Sequence, residues 1–140
     1  QMAYLLLWSS IERYTSLRYH LKKEVVSKVK NIVNEEAFAK SLCNYVTEVR
    51  EVYNAGCPQS KETLDRNSPK KSLDYYYQIR SNITHRGKGI PKDFRTLEKS
   101  IQELLPIFRD VLVAAEIEAT MDKAEKEFVE SLKKLMSAKE

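Results

Sequence analysis

The chain has 140 residues, 42% hydrophobic and 31% charged, with three Gly and four Pro. That length suits one domain around a single hydrophobic core. Few breakers beside many Leu, Lys, Glu and Ala exclude a sandwich or barrel, which needs a turn signal about every 8–12 residues. The apolar run Ala3–Trp8 falls far short of the ~20 residues that span a bilayer, which excludes a transmembrane helix.

Lys and Arg number 24 against 20 Asp and Glu, a net charge of +4. This excess permits an anionic partner without demanding one. Cys43 and Cys57 form neither a C-x-x-C pair nor a zinc spacing, so they read as free thiols of a reducing, cytoplasmic setting rather than a disulfide. Leu5–Trp8 lacks a basic leader and continues into Glu12 and Arg13, so it is not a signal peptide. The chain opens Gln1-Met2 and enters a helical pattern at once, which leaves open that it is a piece of a longer polypeptide.

Tyr4, Leu7, Trp8, Ile11, Tyr14, Leu17 and Leu21 recur at steps of three and four, one stripe of an amphipathic helix. Val25, Val26, Val29, Ile32 and Val33 continue an apolar face. Asn34 before Glu35 and Glu36 reads as an N-cap with acids in the first turn. Phe38, Leu42, Tyr45, Val46, Val49 and Val52 mark the helix that follows. Asn54 to Lys71 holds Gly56, Pro58 and Pro69 with little periodicity, and reads as a long loop.

Ser68-Pro69 then restarts a helix as N-cap and first residue. Leu73, Tyr76, Ile79 and Ile83 form its stripe, and Gly87 and Gly89 place its end near His85 in a sharp turn. Asp93 caps the next helix, whose stripe runs from Phe94 to Leu112 and which Pro106 is expected to kink or divide. Met121, Ala124, Phe128, Leu132 and Leu135 mark a final helix, whose Lys/Glu-rich outer face from Asp122 to Glu140 reads most simply as solvated, with a partner helix as the alternative. The expectation is an all-α, antiparallel bundle of about five helices, a single domain over residues 1–140.

Templates for phosphate loops, serine hydrolases and zinc hydrolases are missing, and two His cannot build a multi-histidine metal site in one copy. No metal and no cofactor is therefore expected. The segment from Tyr75 to Gly89 stands apart. It sets Arg80, Asn82 and His85 at a helix end, then Arg86 and Lys88 in a glycine turn, with Lys92 beyond. Arg80 and His85 lie five residues apart. On a regular helix that is ~7.5 Å of rise and ~140° of rotation, so they share a side only if the last turn unwinds at the glycines.

Arg offers a fixed fork of donors that fits a phosphate, and His exchanges a proton near neutrality. A phosphodiester beside a ribose 2′-OH needs both services and no metal, because its nucleophile lies within the substrate. Asn82 can orient the imidazole or donate to a phosphate oxygen. Arg86, Lys88 and Lys92 add sequence-independent attraction for the backbone. A His at a helix end also serves as a dipole-favoured cap, and Arg80 can be a surface partner of Asp74 or Glu98. Residue types alone leave both readings open. The Tyr75–Tyr77 run can stack on bases, although at least one of its rings must be core.

Arg80-Ser81-Asn82-Ile83-Thr84-His85 fits the R-x4–6-H motif of the HEPN superfamily (higher eukaryotes and prokaryotes nucleotide-binding domains). The longer string Tyr77–Lys88 resembles the form in bacterial stress and defence systems, with an aromatic and Gln before the Arg and a Gly and Lys after the His. The opening helix, Leu5–Tyr14, is also similar to the aromatic first helix of such domains. The resemblance implies a HEPN-like helical fold and, in many members, a metal-independent endoribonuclease of toxin–antitoxin or defence systems.

It further implies RNA as substrate, a homodimer with a composite site, and an antitoxin or further domains as partners, with no membrane. Arg80 would polarise the scissile phosphate, His85 would act as general base or acid, and Asn82, Arg86 and Lys88 would bind substrate. The polar position most stressed in the family directly follows the Arg and is Ser81 here. Gly87 stands where one subgroup carries a Tyr that is modified. Glu12 is placed loosely near the site, where a surface ion pair explains it as well. The alternative is a non-catalytic HEPN-like module that binds RNA or nucleotide, or dimerises a larger effector.

Overall fold

The structure, a computed structural model, describes residues 1–20, 25–57, 59–86 and 91–137. It is mostly helical, with one small sheet. The order is α1 (Met2–Tyr19), α2 (Val25–Val29), a 3₁₀ turn (Lys30–Asn34), α3 (Glu36–Tyr45), β1 (Arg50–Tyr53), β2 (Lys61–Leu64), α4 (Pro69–Arg86) and α5 (Pro91–Ser137). Among the described residues no helix is long and apolar enough to cross a membrane.

Helix α1 buries Tyr4, Leu7, Trp8 and Ile11 of the stripe its sequence predicts, half-buries Tyr14 and leaves Leu17 exposed, while Leu21 lies outside the described residues. It stops at His20, which adopts the left-handed conformation at φ 39° that usually calls for Gly. Glu35, not Asn34, caps α3. The 3₁₀ turn absorbs Asn34, and the Glu35 carbonyl accepts from the N–H groups of Phe38 and Ala39. The Glu35 carboxylate also accepts from the Tyr14 hydroxyl at 3.0 Å and from the Tyr19 hydroxyl, so the α3 cap is stitched to the end of α1.

The largest departure from expectation follows α3. The helix expected to run through Val52 ends at Tyr45, and Val46 turns extended. Arg50–Tyr53 then forms a strand paired antiparallel with Lys61–Leu64, in the register Arg50↔Leu64 and Tyr53↔Lys61. The segment expected as one loop, 54–71, therefore contains β2 and the start of α4. A strand fits because Arg50 and Val52 alternate inward while Glu51 and Tyr53 face out. Gly56 donates to the Asn54 side chain in the connecting turn. Ser72 ties β2 to α4, since its hydroxyl donates to the Asp65 carbonyl and accepts from the Asp65 N–H.

Helix α4 starts at Pro69, with the Ser68 carbonyl accepting from Ser72 N–H as expected of that pair. Helix α5 starts at Pro91, so Asp93 lies inside it rather than capping it. It continues through Pro106 without division and includes the stretch expected as a separate last helix. Leu104 and Ile107, both buried, hold the chain on either side of Pro106. The antiparallel order also fails for one pair. Contacts from Tyr4 to Tyr76, Trp8 to Tyr77 and Glu12 to Arg80 rise together, so α1 and α4 run in the same sense. The sharp turn expected at Gly87 and Gly89 lies outside the described residues.

A polar knot sits inside this core. Arg50 of β1 donates from both terminal nitrogens to Glu103 of α5, one contact at 2.8 Å. Arg50 Nε also reaches the Tyr75 hydroxyl at 3.4 Å. The Tyr76 hydroxyl donates to the same carboxylate at 3.0 Å, and the Tyr4 hydroxyl donates to the Tyr76 carbonyl. Three elements (β1, α4 and α5) thus meet on one buried carboxylate, and α1 joins them through the Tyr76 carbonyl. Both charged side chains are nearly buried, at 14% and 11% exposure.

Glu103→Ala should cost about 3 kcal/mol in urea unfolding, because it leaves the largely buried Arg50 guanidinium with only the half-exposed Glu48 carboxylate, 3.2 Å away, as its charge partner. The joint change Arg50→Met with Glu103→Leu should recover most of that; equal loss in both variants would contradict the account. Burial chiefly pushes the Tyr4, Tyr14, Tyr19 and Tyr76 hydroxyls well above the ordinary tyrosine range, and the Glu35 carboxylate adds to it at Tyr14 and Tyr19 as Glu103 does at Tyr76. A raised folded-state pKa stabilises fully below the unfolded value of about 10 and is lost as pH climbs past it. Stability should therefore fall above about pH 10, with Tyr76 ionising only as the chain unfolds, which tyrosinate absorbance tracks.

Candidate functional site

Helix α4 presents the motif residues. Arg80 is partly exposed and fixed from two sides. One terminal nitrogen lies 3.2 Å from a Glu12 carboxylate oxygen on α1, and the guanidinium sits over the Tyr77 ring at 5.7 Å. Tyr77 is in turn braced edge-on by buried Trp8. A guanidinium carries five N–H donors, so this clamp aims it and leaves donors for an anion. The partner is Glu12, not Asp74 or Glu98; Asp74 pairs with Lys30.

His85 is exposed in the last turn of α4. The unwinding that would bring it to the Arg80 side is not found. The helix stays regular through Arg86, and the Thr84 hydroxyl bonds back to the Arg80 carbonyl at 2.9 Å. The glycines that were expected to open the turn come after this point. Arg80 and His85 therefore stand ~7.5 Å apart along the axis and ~140° apart around it.

Asn82 has a structural task. Its carbonyl oxygen accepts from Ala55 N–H at 2.9 Å and from Gln78 at 2.8 Å, while its amide donates to the Tyr53 carbonyl at 2.7 Å. The side chain expected to bind substrate instead pins the hairpin turn to α4. The reason is geometric: Asn82 faces the backbone groups that β1 leaves unpaired at its end. The side chain of Arg86, all of Lys88, and the side chain of Lys92 lie outside the described residues.

Of the tyrosine run, Tyr75 and Tyr76 are fully buried, and only Tyr77 reaches the motif surface. Its role beneath Arg80 was missed from sequence, although the i, i+3 spacing of Tyr77 and Arg80 signals it. Cys43 and Cys57 are both free and exposed. Among the described residues no group of three or more His, Cys, Asp or Glu is placed to hold a metal ion.

Asn82→Ala should lower stability by about 1–2 kcal/mol and speed hydrogen exchange at the Ala55 amide. Unchanged protection at Ala55 would contradict the pinning role. Comparison with family models, with curated proteins and with solved structures returned no match, so the family expectation stands on the Tyr77–Lys88 segment and the first helix alone.

Proposed function

We propose that the chain is a HEPN-like, metal-independent endoribonuclease that cleaves RNA by attack of a 2′-hydroxyl, in a defence or toxin–antitoxin setting. The observation that carries this reading is the aimed, solvent-reachable guanidinium of Arg80 on the same helix as an exposed imidazole. Arg80 holds the non-bridging oxygens of the scissile phosphate as charge builds on them. The 2′-oxygen bonds to phosphorus, the bond from phosphorus to the 5′-oxygen breaks, and the leaving oxygen takes a proton. The 2′-hydroxyl loses a proton as it attacks; His85 serves one of the two proton transfers, taking that proton or supplying the one the 5′-oxygen gains, and water serves the other. Because the two groups diverge around a regular helix, a site shared between two copies suits them better than a site within one.

A second reading is favoured by that divergence: a module that binds RNA through Arg80 without cutting it. The same experiment separates the two. RNA incubated with the protein in EDTA should be cleaved to products ending in 2′,3′-cyclic phosphate or 3′-phosphate. Arg80→Ala and His85→Ala should each lower the rate by about 100-fold or more while the fold is kept. Full activity in His85→Ala would falsify the nuclease reading, and 3′-hydroxyl ends would argue for another mechanism. Salt-sensitive binding without cleavage supports the module instead.

A further inference from the structure

The pairing of Glu12 with Arg80 is the outer rung of a ladder between two helices that run in the same sense. Tyr4 bonds to the Tyr76 carbonyl, Trp8 meets Tyr77 edge-on with ring centres 5.6 Å apart, and Glu12 reaches Arg80 at 3.2 Å. Trp8 and Glu12 stand one turn apart on α1, as Tyr77 and Arg80 do on α4. Tyr4, Trp8 and Tyr76 are buried. The core stripe of α1 therefore holds a carboxylate beside the guanidinium. Both side chains stay open to solvent, Glu12 at 24% and Arg80 at 31% exposure.

A carboxylate in that place works against affinity for anions. It cancels the charge of Arg80 and repels whatever the free guanidinium nitrogens take. The repulsion grows with the charge of the ligand. A phosphodiester inside a strand is singly charged, whereas a terminal phosphate monoester is nearly doubly charged above its second pKa of about 6. With ordinary hydrogen-bond lengths, a phosphate on the remaining nitrogens sits ~7 Å from the Glu12 carboxylate. At that distance, screened as in water, one ligand charge costs about threefold in affinity and two cost about tenfold. His85 does not offset this, because it points ~140° around the helix from Arg80.

We propose, on the reading of Arg80 as a phosphate-binding group, that Glu12 is a charge filter: it tilts the Arg80 site toward singly charged phosphodiesters and away from doubly charged phosphate ends. The ligands it favours are internal RNA linkages and 2′,3′-cyclic phosphates, which are both diesters. Strand ends that carry a 3′- or 5′-monophosphate hold the site less well. The 3′-phosphate left when a cyclic phosphate opens is among them, so Glu12 also lets that product go.

Two matched probes test it: thymidine 3′-phosphate and its methyl ester, which differ by one charge and lack a 2′-hydroxyl. Each is titrated in low salt at about pH 8, where the monoester is fully ionised, with the Arg80 guanidinium NMR resonance as readout. The proteins are the full chain and its Glu12→Gln variant, which keeps an oxygen facing Arg80 and drops the charge. Glu12→Gln should bind the methyl ester about threefold more tightly than the wild type and the monoester about tenfold more tightly. If neither ester moves the Arg80 resonance in either protein, the phosphate-binding role of Arg80 falls, and the filter with it. If both esters bind but gain equally, or lose affinity in the variant, the filter alone is overturned and Glu12 only positions the guanidinium.

Discussion

One buried carboxylate organises this fold. Glu103 on α5 receives Arg50 from β1 and Tyr76 from α4, and Tyr76 in turn receives the hydroxyl of Tyr4 on α1. A buried ion pair of this kind contributes little net stability against an apolar replacement, but a half-pair is severely penalised. The constraint therefore acts on arrangement. It admits only a chain course that returns β1 to α5 at the level of Tyr75 and Tyr76. It adds to the Ser72 and Asn82 bonds in holding the hairpin to the helices, which matters because an isolated two-stranded ribbon is marginal in water.

That constraint reaches the motif helix directly. Tyr75 and Tyr76 face the knot, and Tyr77, the next residue, turns outward to carry Arg80. Two residues beyond Arg80, Asn82 fastens the end of β1. The surface bearing Arg80 and His85 is thus set by the same helix that closes the core. Its rigidity also explains why His85 stays in helical register and does not swing toward Arg80. Any chemistry there must use groups that diverge, which gives a second protein copy, or a substrate that bends around the helix end, a physical part to play.

Much of the helical framework was legible in sequence. The α1 stripe from Tyr4 to Ile11 and the Ser68-Pro69 start of α4 carry local signals that tertiary contacts do not override. The hairpin was not legible. Val46, Val49 and Val52 fit a helical step of three, and β2 offers one fully buried residue, Leu64, too little to show alternation. The end of α1 was hidden because His20, not glycine, takes the left-handed conformation. Pro106 misled in the other direction, since packing at Leu104 and Ile107 holds the helix through a residue that lacks one hydrogen bond. For the site, residue types named Arg80 and His85, but only the fold could show that Asn82 is committed to the hairpin and that Glu12 steers the guanidinium.

The central claim is that Arg80 and His85 engage one phosphodiester-bearing ligand. The most direct measurement is an NMR titration with a 2′-fluoro RNA oligonucleotide, which keeps the phosphates and lacks the nucleophile. The account predicts that the His85 ring and Arg80 guanidinium resonances shift along one common saturation curve, with Arg109 unmoved. Resonances of Arg80 and His85 that stay in place at saturation, or that follow different affinities, would contradict it.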